Sequence, residues 1–258
     1  MARFTSVVRY VLLSRHKYGY GIHSPFLYHL IREVFLDKTE YPEYKKIAHI
    51  RDKMKQLTDT TERVDFGAGY QKEIRTSFRH IVKTSAIRPK YGKLLFRVSS
   101  YLKPQRILEL GTSLGIGTMY LAMGNRDTTV LTLEGDPLLG NRAKENFRKL
   151  SLERIRVADG KFTEVLPDIL TENKPFDLVF IDGDHRGEAL MQYLEQISIH
   201  LNPGACVILD DIHWNKDMEE GWKKVRNIPG VTLSLDLLQI GMLFFKPELS
   251  RQHYVIRY

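Results

Sequence analysis

Between about residue 88 and residue 245, short apolar runs alternate with stretches of helical periodicity, and this alternation restricts the fold more than any other feature. The runs are rich in Val, Ile and Leu, as expected for strands buried on both faces. Strands are predicted at 106–110, 130–134, 155–158, 178–182, 206–210, 231–235 and 240–245. Helical segments separate the first five, which predicts parallel strands joined by crossover helices. The last two are joined by a short linker, so we expect them to pair antiparallel.

The N-terminal third has a different character. Apolar residues recur there at helical spacing, and residues 1–60 are predicted to be helical. Residues 18–25, Tyr-Gly-Tyr-Gly-Ile-His-Ser-Pro, are predicted to form a turn in which Ser24 caps a helix that begins with Pro25. The sequence therefore predicts a helical extension over residues 1–80 and an α/β domain over residues 81–258.

The glycine-containing segment at residues 65–69, Asp-Phe-Gly-Ala-Gly, resembles a nucleotide-binding loop. A loop of that kind should follow a buried strand and open a helix packed on the same sheet. The segments on both sides of residues 65–69 are polar, so we interpret this glycine pair as a decoy.

Positive charge is concentrated in the N-terminal part of the chain. The formal net charge is +8, and the first 90 residues hold 18 Lys and Arg against 9 Asp and Glu. A positive lobe would attract an anionic substrate, a nucleic acid or an acidic membrane surface. The alternative is a solvated helical face, which we favour because the basic residues are scattered rather than clustered.

The sequence predicts a cytoplasmic protein. Its one cysteine, Cys206, lies in an apolar run and cannot form an internal disulfide, which suits a reducing compartment. No run is long enough for a transmembrane helix. The apolar N-terminal stretch at residues 6–13 carries Arg9 and lacks a small-residue cleavage site, so we expect no signal peptide.

The most specific motif is the glycine-rich segment at residues 107–118, Ile-Leu-Glu-Leu-Gly-Thr-Ser-Leu-Gly-Ile-Gly-Thr. A buried strand ends at Leu110, Gly111 permits a tight turn, and Gly115 and Gly117 open the next helix. The spacing Gly-x-x-x-Gly-x-Gly differs from the Gly-x-Gly-x-x-Gly that places a pyrophosphate on a helix N-terminus. The motif therefore argues against a dinucleotide and leaves an ordinary strand-to-helix turn as the alternative.

Three further features favour a nucleoside cofactor at this turn. Glu134 ends the second predicted strand, where a carboxylate can accept both hydroxyl groups of a ribose. Gly160 and Phe162 follow the third strand, in a loop that can bracket an adenine ring. Glu109 can either hold the turn or face the cofactor. Acids at strand ends are common, so the prediction depends on their order along the chain.

Acidic residues also follow the fourth and fifth strands. Asp182 ends one, and Asp210 and Asp211 end the other. The carboxyl ends of parallel strands meet at one edge of the sheet, so these three carboxylates can converge. Clustered carboxylates repel one another unless a cation or a proton intervenes, and hard oxygen ligands suit Mg²⁺ or Ca²⁺. Contact with the cofactor or strand-end capping is the alternative role.

On these motifs, residues from about 83 to 245 resemble the class I S-adenosylmethionine (AdoMet)-dependent methyltransferases. The resemblance is to the branch that contains catechol and caffeoyl-CoA O-methyltransferases and sugar O-methyltransferases. It implies a Rossmann-like sheet, seven-stranded and mostly parallel with an antiparallel last strand, and AdoMet as cofactor. The implied cofactor-binding residues are Thr84, Ser85, Glu109, Gly111, Thr112, Ser113, Gly115, Gly117, Glu134, Gly160, Phe162 and Asp182.

The resemblance also implies catalytic roles near the acidic residues. Asp182, Asp210 and Asp211 match the positions of metal ligands, although the catechol pattern has Asn where this chain has Asp211. The catechol branch places a lysine general base three residues after the first ligand, where this chain has His185. Histidine can act as a base near neutral pH, and Asp184 is the alternative base.

The implied reaction is O-methylation of a small-molecule hydroxyl, and the sequence leaves two alternatives open. One is a nucleic-acid methyltransferase, which the basic N-terminal third of the chain suggests. Enzymes that methylate exocyclic amines carry Asn/Asp-Pro-Pro-aromatic after the fourth strand, whereas this chain has Asp-Gly-Asp-His from Asp182. The other is a non-catalytic AdoMet-binding protein. Because N-terminal helices of related enzymes often form dimer contacts, a homodimer is also open.

Overall fold

The computed structural model describes residues 10, 11, 13, 14, 16, 18–58, 60–65, 72–172 and 174–258. The chain divides into two compact units, which are described separately. The glycine-turn unit comprises Lys38–Ile169, and the aspartate unit comprises Met1–Asp37 and Leu170–Tyr258. The glycine pair at residues 67 and 69 lies outside the described residues, so its interpretation as a decoy stays a prediction.

Helices and strands alternate along most of the chain. In chain order they are α1 (Pro25–Leu30, continued by a π-helical turn at Ile31–Phe35), α2 (Pro42–Gln56), β1 (Thr60–Asp65), β2 (Lys72–Ser77), α3 (Phe78–Thr84), α4 (Pro89–Leu102), β3 (Arg106–Leu110), α5 (Ile116–Gly124), β4 (Thr129–Glu134), α6 (Pro137–Lys149), β5 (Ile155–Asp159), α7 (Phe162–Glu172), β6 (Phe176–Ile181), α8 (Gly187–Ser198), β7 (Leu201–Leu209), α9 (Lys216–Val225), β8 (Leu233–Asp236), β9 (Gly241–Phe244) and β10 (Gln252–Val255).

The glycine-turn unit is built on three parallel strands, with β4 paired to both β3 and β5. Leu108 pairs with Leu131, which in turn pairs with Arg156. Helices α4 and α5 pack closely, because Gly92 leaves room for the ring of Tyr120; a Cβ at Gly92 would lie 2.3 Å from that ring. Strands β3 and β4 are almost wholly buried, as their apolar sequences predict.

The antiparallel hairpin of β1 and β2 is a finding that the sequence interpretation missed, because the segment had been predicted as helix and polar loop. Its strand sequences, Thr-Thr-Glu-Arg-Val-Asp and Lys-Glu-Ile-Arg-Thr-Ser, are mostly polar. β-branched residues give these strands a β preference that hydrophobic periodicity alone does not detect. Helix α2, at Pro42–Gln56, lies within the residues 1–60 that are predicted to be helical.

The aspartate unit contains the remaining five strands, in the order β10-β8-β9-β7-β6. Strands β6 and β7 are parallel, and β9 is antiparallel to both β7 and β8. All seven predicted strands are therefore present, and the prediction of a mostly parallel α/β fold with an antiparallel strand at position 240 is confirmed. An eighth strand, β10, pairs in parallel with β8 and was not predicted.

The start of the chain packs against its end within the aspartate unit. The Tyr10 hydroxyl donates a hydrogen bond to the backbone oxygen of Ile256 (2.6 Å) and accepts one from the nitrogen of Tyr258 (3.0 Å). Ser24 accepts a hydrogen bond from the Leu27 nitrogen, so the predicted cap of α1 is confirmed. Across the described ranges, every helix is too short or too polar to cross a bilayer.

Candidate functional site

The predicted glycine turn follows β3 directly. Gly111 has a φ of 104°, and its nitrogen donates a hydrogen bond to the Leu133 oxygen at 3.0 Å. Gly115, with a φ of 76°, precedes α5, and a Cβ at this position would lie 2.4 Å from the ring of Phe147. Gly117 lies in the first turn of the helix. Only glycine meets both the backbone and the packing demand at position 115.

Glu134 ties the end of β4 to this turn. Its Oε2 accepts a hydrogen bond from the Ser113 nitrogen (2.6 Å), and its Oε1 accepts one from the Asp136 nitrogen (2.9 Å). The side chain is largely buried. A carboxylate oxygen accepts more than one hydrogen bond, so both oxygens keep capacity for further donors. The strand-end acid thus fixes the shape of the glycine turn.

Glu109 lies beneath the turn in a network of threonine hydroxyls. Thr118 and Thr132 each donate to its Oε2 at 2.5 Å, and the Thr112 hydroxyl lies 2.6 Å from that of Thr132. Among the described residues, Oε1 of Glu109 has no hydrogen-bond partner although it is buried. Burial raises the pKa of Glu109 to about 7, and the charge of Glu134 acts in the same direction. The observed contacts are those of a residue that holds the turn.

The structure places the other predicted cofactor residues of this unit in two locations. Gly160 follows β5 with a φ of 141°. Its nitrogen donates a hydrogen bond to the backbone oxygen of Glu134 at 2.8 Å, so Gly160 adjoins the glycine turn. Phe162 is half-buried at the start of α7. Thr84 and Ser85 lie at the exposed end of α3, and the Thr84 hydroxyl donates to the His80 oxygen (2.9 Å).

In the aspartate unit, Asp182 follows β6 and Asp210 follows β7, at the carboxyl ends of two paired parallel strands. Asp210 is 5% exposed. Its burial, together with the charge of Asp211, raises the pKa of Asp210 to about 7. Asp211 has a φ of 51°, and its nitrogen donates to Oδ1 of Asp210 at 2.9 Å.

Both oxygens of Asp184 are engaged. Nε and Nη2 of Arg186 donate to Oδ1 (2.6 Å) and Oδ2 (2.7 Å), and the Tyr193 hydroxyl donates to Oδ2 at 2.9 Å. Burial, followed by the charge of Asp184, raises the pKa of Tyr193, which keeps its hydroxyl a donor. A carboxylate held by a bidentate arginine is poorly placed to take a proton from a substrate.

His185 faces the neighbouring acidic loop. Its ring lies 6.1 Å from that of Trp214, at an angle of 35°. Its backbone oxygen accepts a hydrogen bond from Nδ2 of Asn215 (3.5 Å), and Oδ2 of Asp217 accepts one from the Gly187 nitrogen (2.6 Å). These contacts join the loop after β6 to the loop after β7. The Trp214 side chain is 48% exposed.

The turn between β8 and β9 supports the loop that carries Asp210 and Asp211, and sequence reasoning missed it. Nε2 of Gln239 donates to Oδ1 of Asp210 (3.1 Å), while the Gln239 backbone oxygen accepts from the Ile212 nitrogen (3.1 Å). Nε2 of His213 lies 2.8 Å from Oδ2 of Asp236. Three contacts thus fix the loop, none of which has a local sequence signal.

Within the described part of the chain, no group of three or more His, Cys, Asp or Glu side chains is arranged to hold a metal ion. Asp182 and Asp210 end neighbouring parallel strands, and their hard carboxylate oxygens are the kind of ligand that Mg²⁺ or Ca²⁺ accepts. Asp182 is half-buried, whereas Asp210 is buried and accepts a hydrogen bond from the neutral amide of Gln239. The chemistry of the pair therefore fits a cation, whereas the predicted grouping of all three aspartates is not observed.

Comparison with known proteins matches residues 108–212 to a family model described as a methyltransferase domain. A catechol O-methyltransferase of Niastella koreensis is 28% identical over 130 residues, covering 49% of this chain and 58% of that protein. A catechol O-methyltransferase of Mycobacterium tuberculosis is 30% identical over 129 residues, covering 49% and 57%. The matched region thus spans little more than half the length of these curated relatives.

Solved structures share the fold over most of the chain. A methyltransferase of Podospora anserina bound to S-adenosylhomocysteine has a TM-score of 0.62 at 16% identity, covering 86% of this chain and 96% of the other. An O-methyltransferase from Bacillus cereus, also with S-adenosylhomocysteine, has a TM-score of 0.58 at 18% identity, covering 83% and 95%. At these identities the similarity establishes the fold.

Proposed function

We propose that this chain, which matches a methyltransferase domain over residues 108–212 and shares the fold of solved methyltransferases, transfers the methyl group of AdoMet to a hydroxyl group of a small-molecule acceptor. The observation that carries the proposal is the hydrogen bond from the Ser113 nitrogen to Glu134. This bond ties the end of β4 to the glycine turn inside the matched domain. The curated relatives named catechol O-methyltransferase favour a small hydroxylated acceptor over a nucleic acid.

The glycine-turn unit provides the cofactor residues of the proposal. The absence of side chains at Gly111 and Gly115 lets a ligand approach the backbone, and Glu134 keeps lone pairs for ribose hydroxyls. Glu109 supports the turn by accepting hydrogen bonds from the hydroxyl groups of Thr118 and Thr132. AdoMet, when bound, supplies a methyl group made electrophilic by its positively charged sulfur. Thr84, Ser85 and Phe162 stay predicted cofactor contacts.

For the acceptor we assign the base to His185 rather than Asp184. Both oxygens of Asp184 already accept hydrogen bonds from Arg186 and Tyr193, and these bonds hold the carboxylate away from a substrate hydroxyl. In the proposed step, a ring nitrogen of His185 would take the proton of the acceptor hydroxyl. The oxygen would bond to the methyl carbon as that carbon's bond to sulfur breaks, and S-adenosylhomocysteine would leave. The half-exposed indole of Trp214 beside His185 can exclude water from one side of the acceptor.

The proposal retains a divalent cation, Mg²⁺ or Ca²⁺, held by Asp182 and Asp210, and Asp211 stays a predicted ligand because the three side chains are not grouped in the described part of the structure. The support is the burial of the Asp210 carboxyl and the charge of Asp211 beside it, which together raise the pKa of Asp210 and which a bound cation would offset. Such a cation lowers the pKa of a hydroxyl group that it binds. The chain itself holds Asp210 in place through Gln239.

Further proposals concern the domain boundaries, the cellular location and the oligomeric state of the chain. We propose an N-terminal extension over residues 1–80 that is helical apart from the β1–β2 hairpin, a methyltransferase domain over residues 81–258, a cytoplasmic location and a homodimer. The buried free thiol of Cys206 supports a reducing compartment.

Calorimetry with AdoMet and with S-adenosylhomocysteine tests the cofactor claim directly. We expect Glu134→Gln to weaken binding of both about tenfold or more, since its loss loosens the turn and removes a ribose acceptor. Glu153→Gln is the matched control, because Glu153 is an exposed acid in the same unit. Failure of the folded wild type to bind either ligand would overturn the proposal. Turnover of AdoMet with panels of catechols and sugars then identifies the acceptor.

A further inference from the structure

The turn at residues 18–25 stands outside the proposed chemistry, yet it adjoins most of the exposed apolar side chains. Seven large hydrophobic side chains are exposed in the described part of the chain, and five of them lie between residues 11 and 28. They are Val11, Leu13, Tyr18, Tyr20 and Tyr28. Tyr20 is 79% exposed. Exposure concentrated on one short segment marks an interaction surface, whereas scattered single residues do not.

Three of these side chains are gathered by an ordered turn. The rings of Tyr18 and Tyr20 lie 6.3 Å apart. Gly19, between them, has a φ of 82°, and a Cβ there would lie 3.0 Å from the ring of Tyr28. Nδ1 of His16 lies 2.6 Å from the Tyr20 oxygen and fixes the end of the turn. The conformation of Gly19 therefore lets Tyr28 pack beside the other two tyrosines, and we call these three residues the tyrosine cluster.

The same segment is free of negative charge. The first 32 residues contain five Lys and Arg, three His and no Asp or Glu. Arg32 and His29 are exposed in the helical segment that also carries Tyr28. Positive charge combined with exposed tyrosines and aliphatic side chains is typical of segments that lie in the headgroup region of a bilayer. Anionic headgroups attract each nearby basic residue.

We propose that the tyrosine cluster, with Val11, Leu13 and the surrounding basic residues, binds the surface of membranes that contain anionic phospholipids. The binding is peripheral: rings and aliphatic side chains enter the interface while Arg32 remains among the headgroups.

Two other occupants fit the surface less well. A symmetric contact with a second copy would bring the same patch onto itself, and a segment with five Lys and Arg but no Asp or Glu in its sequence would then face its own positive charge. Single-stranded nucleic acid would stack on tyrosines, but the exposed aliphatic side chains of Val11 and Leu13 offer no stacking surface. An anionic bilayer accommodates both the charge and the aliphatic side chains.

Vesicle cosedimentation of the full chain tests the proposal. The probes are phosphatidylcholine vesicles with and without about one-third phosphatidylglycerol. We expect binding to the anionic vesicles only, weakening as NaCl rises from about 0.05 to about 0.3 M because the screening length shortens. Absence of binding, or equal binding to both kinds of vesicle, would overturn the proposal.

Variants assign the binding to the surface. We expect Tyr20→Ser and Arg32→Glu each to weaken binding to the anionic vesicles about fivefold or more. Ile199→Ser is the matched control, because Ile199 is 80% exposed and lies outside the cluster; it should leave binding unchanged. Equal behaviour of Tyr20→Ser and Ile199→Ser would contradict the proposal. So would a dimer in light scattering that Tyr20→Ser dissociates, or displacement of the wild type from vesicles by a single-stranded oligonucleotide.

Discussion

Replacing Gly115 with alanine adds one methyl group, and the structure predicts that this methyl group is costly for two separate reasons. The residue has a φ of 76°, a conformation that L-residues with a Cβ rarely adopt. The new Cβ would lie 2.4 Å from Cε1 of Phe147 and 3.2 Å from Cβ of Ala143. Neither Phe147 nor Ala143, both buried on α6, has open space to move into.

The two contributions can be given magnitudes and separated. The left-handed backbone costs about 1–2 kcal/mol, and overpacking of a filled site costs about 1–3 kcal/mol. Gly204→Ala is the matched control, since Gly204 has a φ of 86° but its Cβ would meet only Nζ of Lys246 at 3.7 Å. Gly204→Ala should therefore be destabilised by the backbone contribution alone. The difference between the variants measures the clash.

Urea unfolding of the wild type and both variants gives the required free energies of unfolding. We expect Gly115→Ala to be less stable than Gly204→Ala by about 1–3 kcal/mol, and to recover part of that loss when Phe147→Leu is added. The folded fraction of Gly115→Ala should also bind S-adenosylhomocysteine more weakly, since the turn is displaced. Equal destabilisation by the two alanines would refute the packing argument. Unimpaired binding of S-adenosylhomocysteine by Gly115→Ala would show that the turn does not contribute to cofactor binding.

Three further predictions concern the buried acids. Because the pKa of Glu109 is raised from 4.5 to about 7, the native state retains a proton that the unfolded state loses. Stability should fall by up to about 3 kcal/mol as pH rises from 4.5 to 7, and Glu109→Gln should flatten that slope in urea titrations at several pH values. Gln239→Ala should lower kcat about tenfold with little change in AdoMet binding, because Asp210 loses its amide donor; Gln192→Ala, on the exposed face of α8, is the control, and a matching loss there would contradict the assignment. Chelation with EDTA should reduce turnover, and Mn²⁺ bound to the wild type should give an altered electron paramagnetic resonance spectrum that Asp210→Ala lacks; full activity after chelation would remove the cation from the proposal.

The parallel strands could be predicted from sequence because their signals are local. Segments such as Phe176–Ile181 are apolar, short and bounded by polar residues, so burial on both faces follows from composition. The glycine turn was recognisable for a similar reason, since the positions of Gly111 and Gly115 relative to the strand end are fixed by backbone geometry. Strand β10 has no comparable signal, since Gln252–Val255 is half-exposed and depends on β8 for its pairing.

The candidate site was harder to predict wherever a side chain's role depends on a distant partner. Asp184 was a candidate base because it carries a carboxylate next to the fourth strand. Its oxygens accept hydrogen bonds from Arg186 and Tyr193, and no local sequence pattern reveals those bonds. The converse holds for Gln239, which carries no catalytic signature and yet donates to a carboxylate 29 positions earlier.

The long-range contacts also separate two kinds of acid that sequence treats alike. Glu109 and Glu134 both lie on strands near a glycine turn, yet one is held by hydroxyl groups and the other by backbone nitrogens. Hydroxyl donors can reorient when the carboxyl group is protonated, whereas backbone donors cannot. A raised pKa is therefore tolerated at Glu109 without loss of the surrounding hydrogen bonds. Because the donors to Glu134 are backbone nitrogens, the turn should keep its shape when Glu109 gains or loses its proton.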